Sequence, residues 1–383
     1  MIYLDNAATT YPKSENVYKA LDEANRQFAF NSGRGSYKSA RMATRVMDDV
    51  RKKILNLIKA AGRATVIFTP SITVALNQIL QGISFVKGDV VYLSPYEHNA
   101  VARVLHLIEK RIGIILKEMP LKEDTLEIDI EKLQYLFSKD KPRCVCCVHV
   151  SNVTGYILPV NEIFEISKRY DAITVLDTAQ SLGLIDIPDS LNVDFLAFAG
   201  HKTLYGPLGV GGFVDYGYCN LEECFAGGTG SDSLNLDMPD STPGKYEFAS
   251  ANIVAIRGLD EALKEVETCN VNGTEKELLD YLIDKLSDIE GVHMYLPPKD
   301  KHIGMVSFTV DGYKSEDIGI ILDEDYDIAV RTGYHCAPLI HKWLKDENTS
   351  GTVRVGIGRY NTRQQIDVLI EAIEDILLWQ KGV

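Results

Sequence analysis

Short apolar runs alternate with helix-like segments between about residues 65 and 215. We interpret the runs at 65–68, 90–93, 114–116, 143–150, 173–176, 195–199 and 210–214 as strands. Between most of them, apolar residues recur three and four positions apart, as at 100–108, 130–137 and 160–166, which is typical of amphipathic helices. Buried strands separated by helices predict an α/β fold with a mainly parallel seven-stranded sheet and helices on both faces.

A second, smaller α+β region is predicted in the last third of the chain. Residues 227–244 are rich in Gly, Ser, Asp, Thr and Pro and indicate a long loop before it. Helices are then predicted at 253–266, 275–289, 318–323 and 364–378, with strands at 305–310 and 352–355.

Composition excludes several classes of protein. The 383 residues are 45% hydrophobic, which predicts a packed core, and the formal net charge of −14 argues against binding nucleic acid or anionic membranes. No apolar run approaches the roughly 20 residues that span a bilayer. The first residues lack the basic and then apolar order of a signal peptide, so we expect a cytoplasmic protein.

The cysteines do not form an obvious disulfide framework. There are seven of them, an odd number, in a long chain without secretion signals. Cys144, Cys146 and Cys147 lie in a predicted buried strand, where Cys acts as a small hydrophobic residue. A metal site there is disfavoured because alternate residues of a strand point to opposite faces.

The strongest candidate for chemistry is Lys202. It follows the predicted strand 195–199 within Gly200-His201-Lys202 and precedes a glycine-rich stretch. A buried lysine amine loses its charge more easily than an exposed one, and a neutral amine forms Schiff bases. The alternative for a lone lysine is a solvated residue in a turn.

Other candidates also follow predicted strands, where open α/β sheets bind ligands. Asp177 could pair with a protonated ring nitrogen, with Gln180 nearby, or Asp177 could cap a helix. Thr73 begins a helix that could bind phosphate, or it could be a simple cap. His98 could stack on a flat ring or serve as a capping residue, and Asn152 could bind a phenolic oxygen or shape a turn.

Two further candidates lie near the C-terminus. Cys336 is beside His335 in a loop that begins at Arg331, and these neighbours favour a thiolate. Arg354, on a predicted strand, could hold a carboxylate through two parallel hydrogen bonds. An inert cysteine and a structural ion pair are the alternatives. Together, the candidates match what pyridoxal phosphate (PLP) requires of its protein.

With these residues in place, the chain resembles the class V aminotransferases of PLP fold type I, most of all the cysteine desulfurase and selenocysteine lyase branch. The similarity runs from Tyr3-Leu4-Asp5-Asn6-Ala7-Ala8-Thr9-Thr10 to Arg354-Val355-Gly356. Its most specific part combines Gly200-His201-Lys202 with the segment 331–336. It implies a large PLP-binding domain at residues 16–255 and a small domain that combines 1–15 with 256–383.

The resemblance also implies a role for each site residue. Lys202 would form the Schiff base with PLP, Asp177 would meet the pyridine nitrogen, Gln180 the phenolic oxygen, and His98 would stack on the ring and serve as an acid or base. The phosphate would be held by Ile72, Thr73 and His201, with Ser250 reaching from a second subunit of a homodimer. Asn152, Arg331 and Arg354 would bind the substrate, and Cys336 would accept its sulfur.

The expected reaction is desulfuration of L-cysteine to L-alanine, with the sulfur held as a persulfide of Cys336 and passed to an acceptor protein. Selenocysteine lyase, another class V transamination or β-elimination, and a non-catalytic scaffold that binds sulfur carriers are the alternatives. One departure from the family pattern bears on cofactor binding. Ala199 stands where the family offers a hydroxyl to phosphate, and the loss of such a bond corresponds to about 1 kcal/mol.

Overall fold

The computed structural model describes residues 1–32, 37–230, 234–268 and 271–381. Cys269 and positions 231–233 of the predicted loop lie outside these residues. The α/β fold is confirmed, and each strand predicted between residues 65 and 215 is present with its bounds shifted by no more than two residues.

The large sheet has seven strands in the order β2-β8-β7-β6-β5-β3-β4. Only β8 runs antiparallel to its neighbours, β7 and β2, and the other pairings are parallel. Its central strands are buried along their whole length, which explains their continuous apolar sequence. The strands are β2 Thr65–Thr69, β3 Val90–Leu93, β4 Ile115–Glu118, β5 Pro142–Val148, β6 Ile173–Asp177, β7 Phe195–Ala199 and β8 Gly211–Asp215.

Helices cover both faces of this sheet, and their buried residues belong to two apolar clusters. The helices of this part are α1 Glu15–Glu23, α2 Lys38–Leu57, α3 Ile72–Gly82, α4 Asn99–Ile112, α5 Ile130–Lys139, α6 Val160–Lys168 and α7 Ile253–Thr268. Sequence reasoning missed α1 and α2. The buried residues of α2, which include Ala43, Met47, Val50 and Ile54, do recur at helical spacing, but the charged residues between them lower its mean hydropathy.

The remaining elements form two smaller sheets with their own helices. An antiparallel sheet has the order β12-β13-β10-β9, and β1 pairs in parallel with β11. The elements are β1 Ile2–Tyr3, α8 Val271–Ser287, β9 Val292–Met294, β10 Met305–Val310, α9 Ser315–Tyr326, β11 Ile328–Ala329, β12 Arg331–Gly333, α10 His341–Leu344, β13 Thr352–Gly356 and α11 Arg363–Lys381.

A separate apolar cluster joins Leu4 to side chains between residues 278 and 377. The N-terminal segment thus packs with the C-terminal third, and the division into two domains that the resemblance implies stays a prediction. In contrast, Ile256, Leu259 and Leu263 of α7 pack in the cluster of the large sheet. Most of α7, which the prediction assigned to the small domain from residue 256 onward, therefore packs with the large sheet.

Among the described residues, no helix is both long enough and apolar enough to cross a membrane.

Candidate active site

A cavity of about 230 Å³ lies beyond the carboxyl ends of the parallel strands, against the small domain. It brings together every site residue predicted from the sequence except Ser250. Those residues are Ile72, Thr73, His98, Asn152, Asp177, Gln180, His201, Lys202, Arg331, Cys336 and Arg354. The location is where open α/β sheets bind their ligands.

Lys202 lies in a tight turn after β7 that requires glycine on both sides. A Cβ atom at Gly200 would lie 2.8 Å from the Val210 carbonyl oxygen, and one at Gly206 would lie 2.8 Å from the Gly200 carbonyl oxygen. Burial lowers the pKa of the Lys202 amine, and the Asp177 carboxylate opposes that shift. The amine therefore loses its proton more readily than a solvated lysine does.

The N-terminal segment holds this turn in place. The His201 carbonyl oxygen accepts hydrogen bonds from Thr10 Oγ1 at 3.2 Å and from Lys13 Nζ at 2.8 Å. Burial, together with the nearby Arg359, lowers the pKa of Lys13 to about 7. Sequence reasoning missed Lys13, because nothing in its local sequence shows that it is buried against a turn that lies 188 residues away.

Asp177 is the last residue of β6, and Gln180 lies in the turn that follows. Asp177 Oδ1 accepts a hydrogen bond of 2.8 Å from the Ala179 amide. No helix lies between β6 and β7, a segment that is described throughout, so this contact shapes a turn and the helix-cap interpretation is wrong. Burial raises the pKa of Asp177, and that amide and Lys202 oppose the shift. Gln180 Nε2 donates to the Ala7 carbonyl oxygen at 2.7 Å, which ties this turn to the N-terminal segment.

His98 is the N-cap of α4. Its Nδ1 accepts a hydrogen bond of 3.0 Å from the Ala100 amide, so the ring proton is on Nε2. Burial, reinforced by the Lys202, Arg354 and Arg103 cations, lowers the pKa of His98 to about 4. The ring is therefore neutral at physiological pH, and capping leaves its face available for stacking.

A second buried acid lies beside His98 and was missed from the sequence. Glu97 is fully buried, and its Oε1 accepts hydrogen bonds of 2.6 Å from Ser94 Oγ and from the Val148 amide. Burial raises the pKa of Glu97 to about 8. The only sequence signal was a charged residue next to His98 at the end of an apolar strand.

The amino end of α3 forms another wall of the cavity. Ser71 is its cap, with Oγ accepting a hydrogen bond of 3.3 Å from the Val74 amide, and Thr73 is exposed. Gly211 permits this close packing, because a Cβ there would lie 2.8 Å from the Ile72 amide nitrogen. The free amides of a helix amino end favour an anion at this point.

Two residues of the predicted phosphate site lie elsewhere. Ser250 is exposed and lines a separate cleft with Phe68 and Asn252. Its contribution to a partner subunit's cavity therefore stays a prediction. Ala199 is buried in an apolar cluster and does not line the cavity.

Arg354 is 3% exposed and already has two partners in the protein. Its Nη2 donates to Asp5 Oδ1 at 2.9 Å, and its Nη1 donates to the Asn152 carbonyl oxygen at 2.7 Å. Its Nε and the Oδ1 of Asn152 are buried and have no hydrogen-bond partner among the described residues. The ion pair considered from the sequence is thus present, and donor capacity remains for a ligand.

Cys336 lies on an exposed turn between the Lys202 cavity and a second, outer groove. With Arg331 and His335 it lines the Lys202 cavity and also a larger outer groove of about 1370 Å³. His335 Nε2 is 2.8 Å from Thr352 Oγ1, and burial holds its pKa well below the usual range. The neighbouring imidazole is therefore uncharged at neutral pH and does not supply the cation expected beside this thiol.

The three strand cysteines are far less accessible than Cys336. Cys144, Cys146 and Cys147 are fully buried, or nearly so. Burial raises the pKa of the Cys147 thiol, as expected of a packing residue. In the described part of the chain, no group of three or more His, Cys, Asp or Glu residues is arranged to hold a metal.

Comparison with known proteins agrees with this arrangement. The family model for class-V aminotransferases matches residues 2–369. A probable cysteine desulfurase of Halalkalibacterium halodurans is 35% identical, with 98% of this chain and 92% of that protein aligned.

Solved structures show the same fold. An apo cysteine desulfurase from Thermococcus onnurineus NA1 has a TM-score of 0.88 and 29% identity, with 100% of this chain and 95% of that chain covered. The cysteine desulfurase CsdA of Escherichia coli, in an S-sulfonic acid form, has a TM-score of 0.85 and 25% identity over 98% of this chain and 94% of that one.

Proposed function

The chain belongs to the class-V aminotransferase family, and from this premise we propose that it is a PLP-dependent cysteine desulfurase that converts L-cysteine to L-alanine. The observation that carries the proposal is the position of Cys336. Its turn lines both the Lys202 cavity and the outer groove, so one thiol can take sulfur from a substrate inside and present it outside.

The cavity residues fit PLP. His201 Nδ1 and Asn152 Oδ1 are buried polar atoms without partners among the described residues, and both residues line the cavity. We assign the phosphate to the amino end of α3, with Ile72, Thr73 and His201. Asp177 would meet the ring nitrogen, whose positive charge would offset the burial of that carboxylate, and Gln180, His98 and Lys202 would hold the rest of the cofactor.

When bound, PLP draws electron density away from the substrate α-carbon. The chain's own residues bind the substrate and move its protons. Arg354, assisted by the exposed Arg331, binds the substrate carboxylate, and the Nε proton of Arg354 is available for it. The lowered pKa of Lys202 makes its neutral amine available to accept and return a proton at the α-carbon. His98, neutral with its proton on Nε2, can donate a hydrogen bond within the cavity.

Cys336 performs the sulfur transfer. Its thiolate attacks the substrate sulfur, an S–S bond forms, and the C–S bond breaks with its electron pair left on the substrate carbon. That carbon takes up a proton, so that alanine leaves and the enzyme keeps a cysteine persulfide. No external oxidant is required, because the sulfur is oxidised to the persulfide level while the substrate carbon, which keeps the electron pair of the C–S bond, is reduced.

The outer groove supports a sulfur-acceptor protein as the partner that removes the persulfide. The groove opens at Cys336 and carries side chains of both signs, among them Arg103, Lys342, Glu118 and Glu316. A surface of mixed charge favours an acceptor with complementary polar groups over nucleic acid. We further propose a homodimer, because the separate cleft that contains Ser250 would contribute to catalysis only if a second subunit met it.

The test is to follow the visible absorbance of the purified protein while L-cysteine is added, with sulfide and alanine measured in the same reaction. Equal yields of sulfide and alanine by a yellow protein would support the proposal. A yellow protein that ignores cysteine would move the substrate to another amino acid. A colourless protein that binds no PLP would contradict it and favour a scaffold role.

A Cys336→Ala variant isolates the thiol, and Cys219→Ala is its control because Cys219 lies outside the cavity. We expect Cys336→Ala to bind PLP normally and to form no persulfide, while the control keeps full activity. Sulfide release that survives in Cys336→Ala would contradict the role of this thiol. If the variant releases selenide from selenocysteine but no sulfide from cysteine, selenocysteine lyase becomes the better assignment.

A further inference from the structure

The turn that carries Cys336 has an unfavourable backbone conformation. His335 has φ 46° and Cys336 has φ 57°, so two consecutive non-glycine residues adopt the left-handed region. Each such residue is disfavoured by roughly 1–2 kcal/mol relative to ordinary backbone. Surrounding contacts must therefore maintain the turn.

Those contacts reach three successive carbonyl oxygens from three different elements. The Cys336 oxygen accepts a hydrogen bond of 2.6 Å from the Asn99 amide at the start of α4. The His335 oxygen accepts one of 2.6 Å from Asn152 Nδ2, in the loop after β5. The Tyr334 oxygen lies 3.0 Å from His341 Nε2, on the short helix α10.

Asn99 and Asn152 belong to segments that line the Lys202 cavity, whereas His341 lies outside that cavity and lines the outer groove. His341 is 4% exposed, and its Nδ1 lies 2.5 Å from Asp346 Oδ2, whose carboxyl group is fully enclosed. Its ring also packs edge-on against Tyr334, with centroids 5.0 Å apart.

Both partners of the His341 ring are acceptors, because one is a backbone carbonyl oxygen and the other a carboxylate oxygen. The two hydrogen bonds are therefore made together when each ring nitrogen carries a proton. The Asp346 carboxylate then balances the charge of the ring and strengthens its hydrogen bonds. Asp346 thereby keeps His341 in the form that donates to the Cys336 turn.

We propose that His341, oriented by Asp346, is a positioning residue for Cys336 that holds the turn in the conformation from which the thiol reaches the substrate sulfur. The inference rests on the proposed function of Cys336 as sulfur acceptor. Neither side chain touches the substrate in this account. Their effect passes through the Tyr334 carbonyl to the two strained residues that follow it.

A matched pair of substitutions separates positioning from simple structural support. In His341→Asn, the amide can still donate to Asp346 but is too short to reach the Tyr334 oxygen. In His341→Gln, the longer side chain can donate to Tyr334 but leaves Asp346 without its partner. A purely structural role therefore predicts that Gln is the more damaging change, and a positioning role predicts that Asn is.

We expect His341→Asn to lower kcat for cysteine desulfuration by about 10- to 100-fold, as small displacements of a reacting group do, with KM changed by no more than about 2-fold. We expect His341→Gln to retain most of the wild-type kcat although its Tm is the lower of the two. Wild-type kcat in His341→Asn, or a kcat order that follows Tm, would overturn the proposal.

Amide hydrogen exchange of the peptide that spans residues 333–339 gives a readout that needs no turnover. Exchange should accelerate in His341→Asn and remain near wild type in His341→Gln. If the wild-type protein did not desulfurate cysteine but showed this exchange pattern, the proposed function would fail and the control of the turn by His341 would stand. Unchanged exchange in His341→Asn would overturn the inference even in an active desulfurase.

A second variant, Asp346→Asn, tests the same proposal if His341→Asn does not fold. Its neutral amide cannot balance the charge of a ring that donates from both nitrogens, so the bond to Tyr334 loses its charge assistance, and faster exchange at 333–339 and a lower kcat are expected. Wild-type values of both in a folded Asp346→Asn protein would remove Asp346 from the proposal.

Discussion

Asp5 Oδ1 accepts a hydrogen bond of 2.9 Å from Arg354 Nη2, and this pair joins the first residues of the chain to a strand of the C-terminal third. The Arg331 Nη1 atom lies 3.8 Å from the other oxygen of the same carboxylate. Asp5 therefore balances two cations that line the cavity. It fixes the guanidinium that we propose binds the substrate carboxylate.

Replacing Asp5 with Asn should weaken substrate binding more than chemistry. The buried Arg354 would lose its charged partner, so KM for cysteine should rise by about 10-fold while kcat changes less. The free energy of unfolding should fall by about 1.5–3 kcal/mol, as for the loss of a charged hydrogen bond. Steady-state kinetics and urea unfolding check both values.

The control is Asp22→Asn near the end of α1, which breaks an exposed ion pair with Arg26 and should change neither quantity. A KM for Asp5→Asn that equals the wild-type value would show that Asp5 does not orient Arg354.

Substitutions of His98 can separate its capping contact from its proposed place against the cofactor ring. His98→Asn keeps an acceptor for the Ala100 amide but removes the flat ring, whereas His98→Ala removes both. We expect both variants to lower kcat by about 100-fold, and only His98→Ala to lower Tm. The absorbance band of bound PLP should shift in both. Full activity in His98→Asn would show that His98 acts only as the N-cap of α4 and not against the cofactor ring.

Gly211 provides a test of the phosphate end of the cavity. In Gly211→Ala, the new methyl group would meet the Ile72 amide nitrogen at 2.8 Å and the Phe198 carbonyl oxygen at 2.9 Å. Backbone atoms cannot move aside cheaply, so we expect a loss of stability of about 1–3 kcal/mol and weaker PLP binding.

Titration of the apoprotein of Gly211→Ala with PLP measures its affinity for the cofactor. Gly228→Ala is the matched control, because a Cβ there would meet no atom of the described residues within 4 Å. Equal affinity for PLP in the two variants would argue against a phosphate site at the amino end of α3.

Glu97 predicts a dependence of stability on pH. Its pKa is raised to about 8 in the folded protein from an ordinary value of 4.5, so the folded state binds the proton more tightly than the unfolded state does. This contribution to stability is fully present below about pH 4.5 and is lost as pH rises towards 8. Glu97→Gln mimics the protonated acid and removes the dependence.

Urea unfolding of wild type and Glu97→Gln between pH 5 and pH 9 checks this. The free energy of unfolding of the variant should rise relative to that of wild type as pH rises. Glu290→Gln, at an exposed position, should show no such trend. A stability difference between Glu97→Gln and wild type that stays constant over the range would mean that Glu97 is ionised in the folded protein.

The large sheet could be predicted from the sequence because its strands are buried on both faces, so each one appears as a continuous apolar run. The cavity could be predicted because Asp177, His98 and Lys202 each follow such a strand, and the carboxyl ends of parallel strands meet at one edge. On the substrate side, Cys336 and Arg354 were candidates from their residue types, and the resemblance supplied their roles, since β13 and the Cys336 turn lie outside the large sheet.

What the sequence did not reveal depends on contacts between distant segments. Lys13, Glu97 and His341 are ordinary polar residues in their local sequence, and their importance comes from burial against elements that are remote in the chain. The same holds for the uncharged state of His335, because a histidine beside a cysteine has no fixed pKa until its burial is known. Helix α1 lacks a long apolar pattern because it exposes most of its surface.

The parallel pairing of β1 with β11 has a consequence for folding during synthesis of the protein. Ile2 pairs with Ile328, so the first strand to leave the ribosome must wait for almost the whole chain before it finds its neighbour. At roughly 5–20 residues per second, this wait lasts on the order of tens of seconds. During this interval the large sheet can assemble, although Cys336 and Arg354 have not yet been synthesised or are still inside the ribosome. A chain that has been made only as far as the large sheet therefore has Lys202 but neither Cys336 nor Arg354, and the proposed capacity to form a persulfide arises only after the residues up to Arg354 have been made.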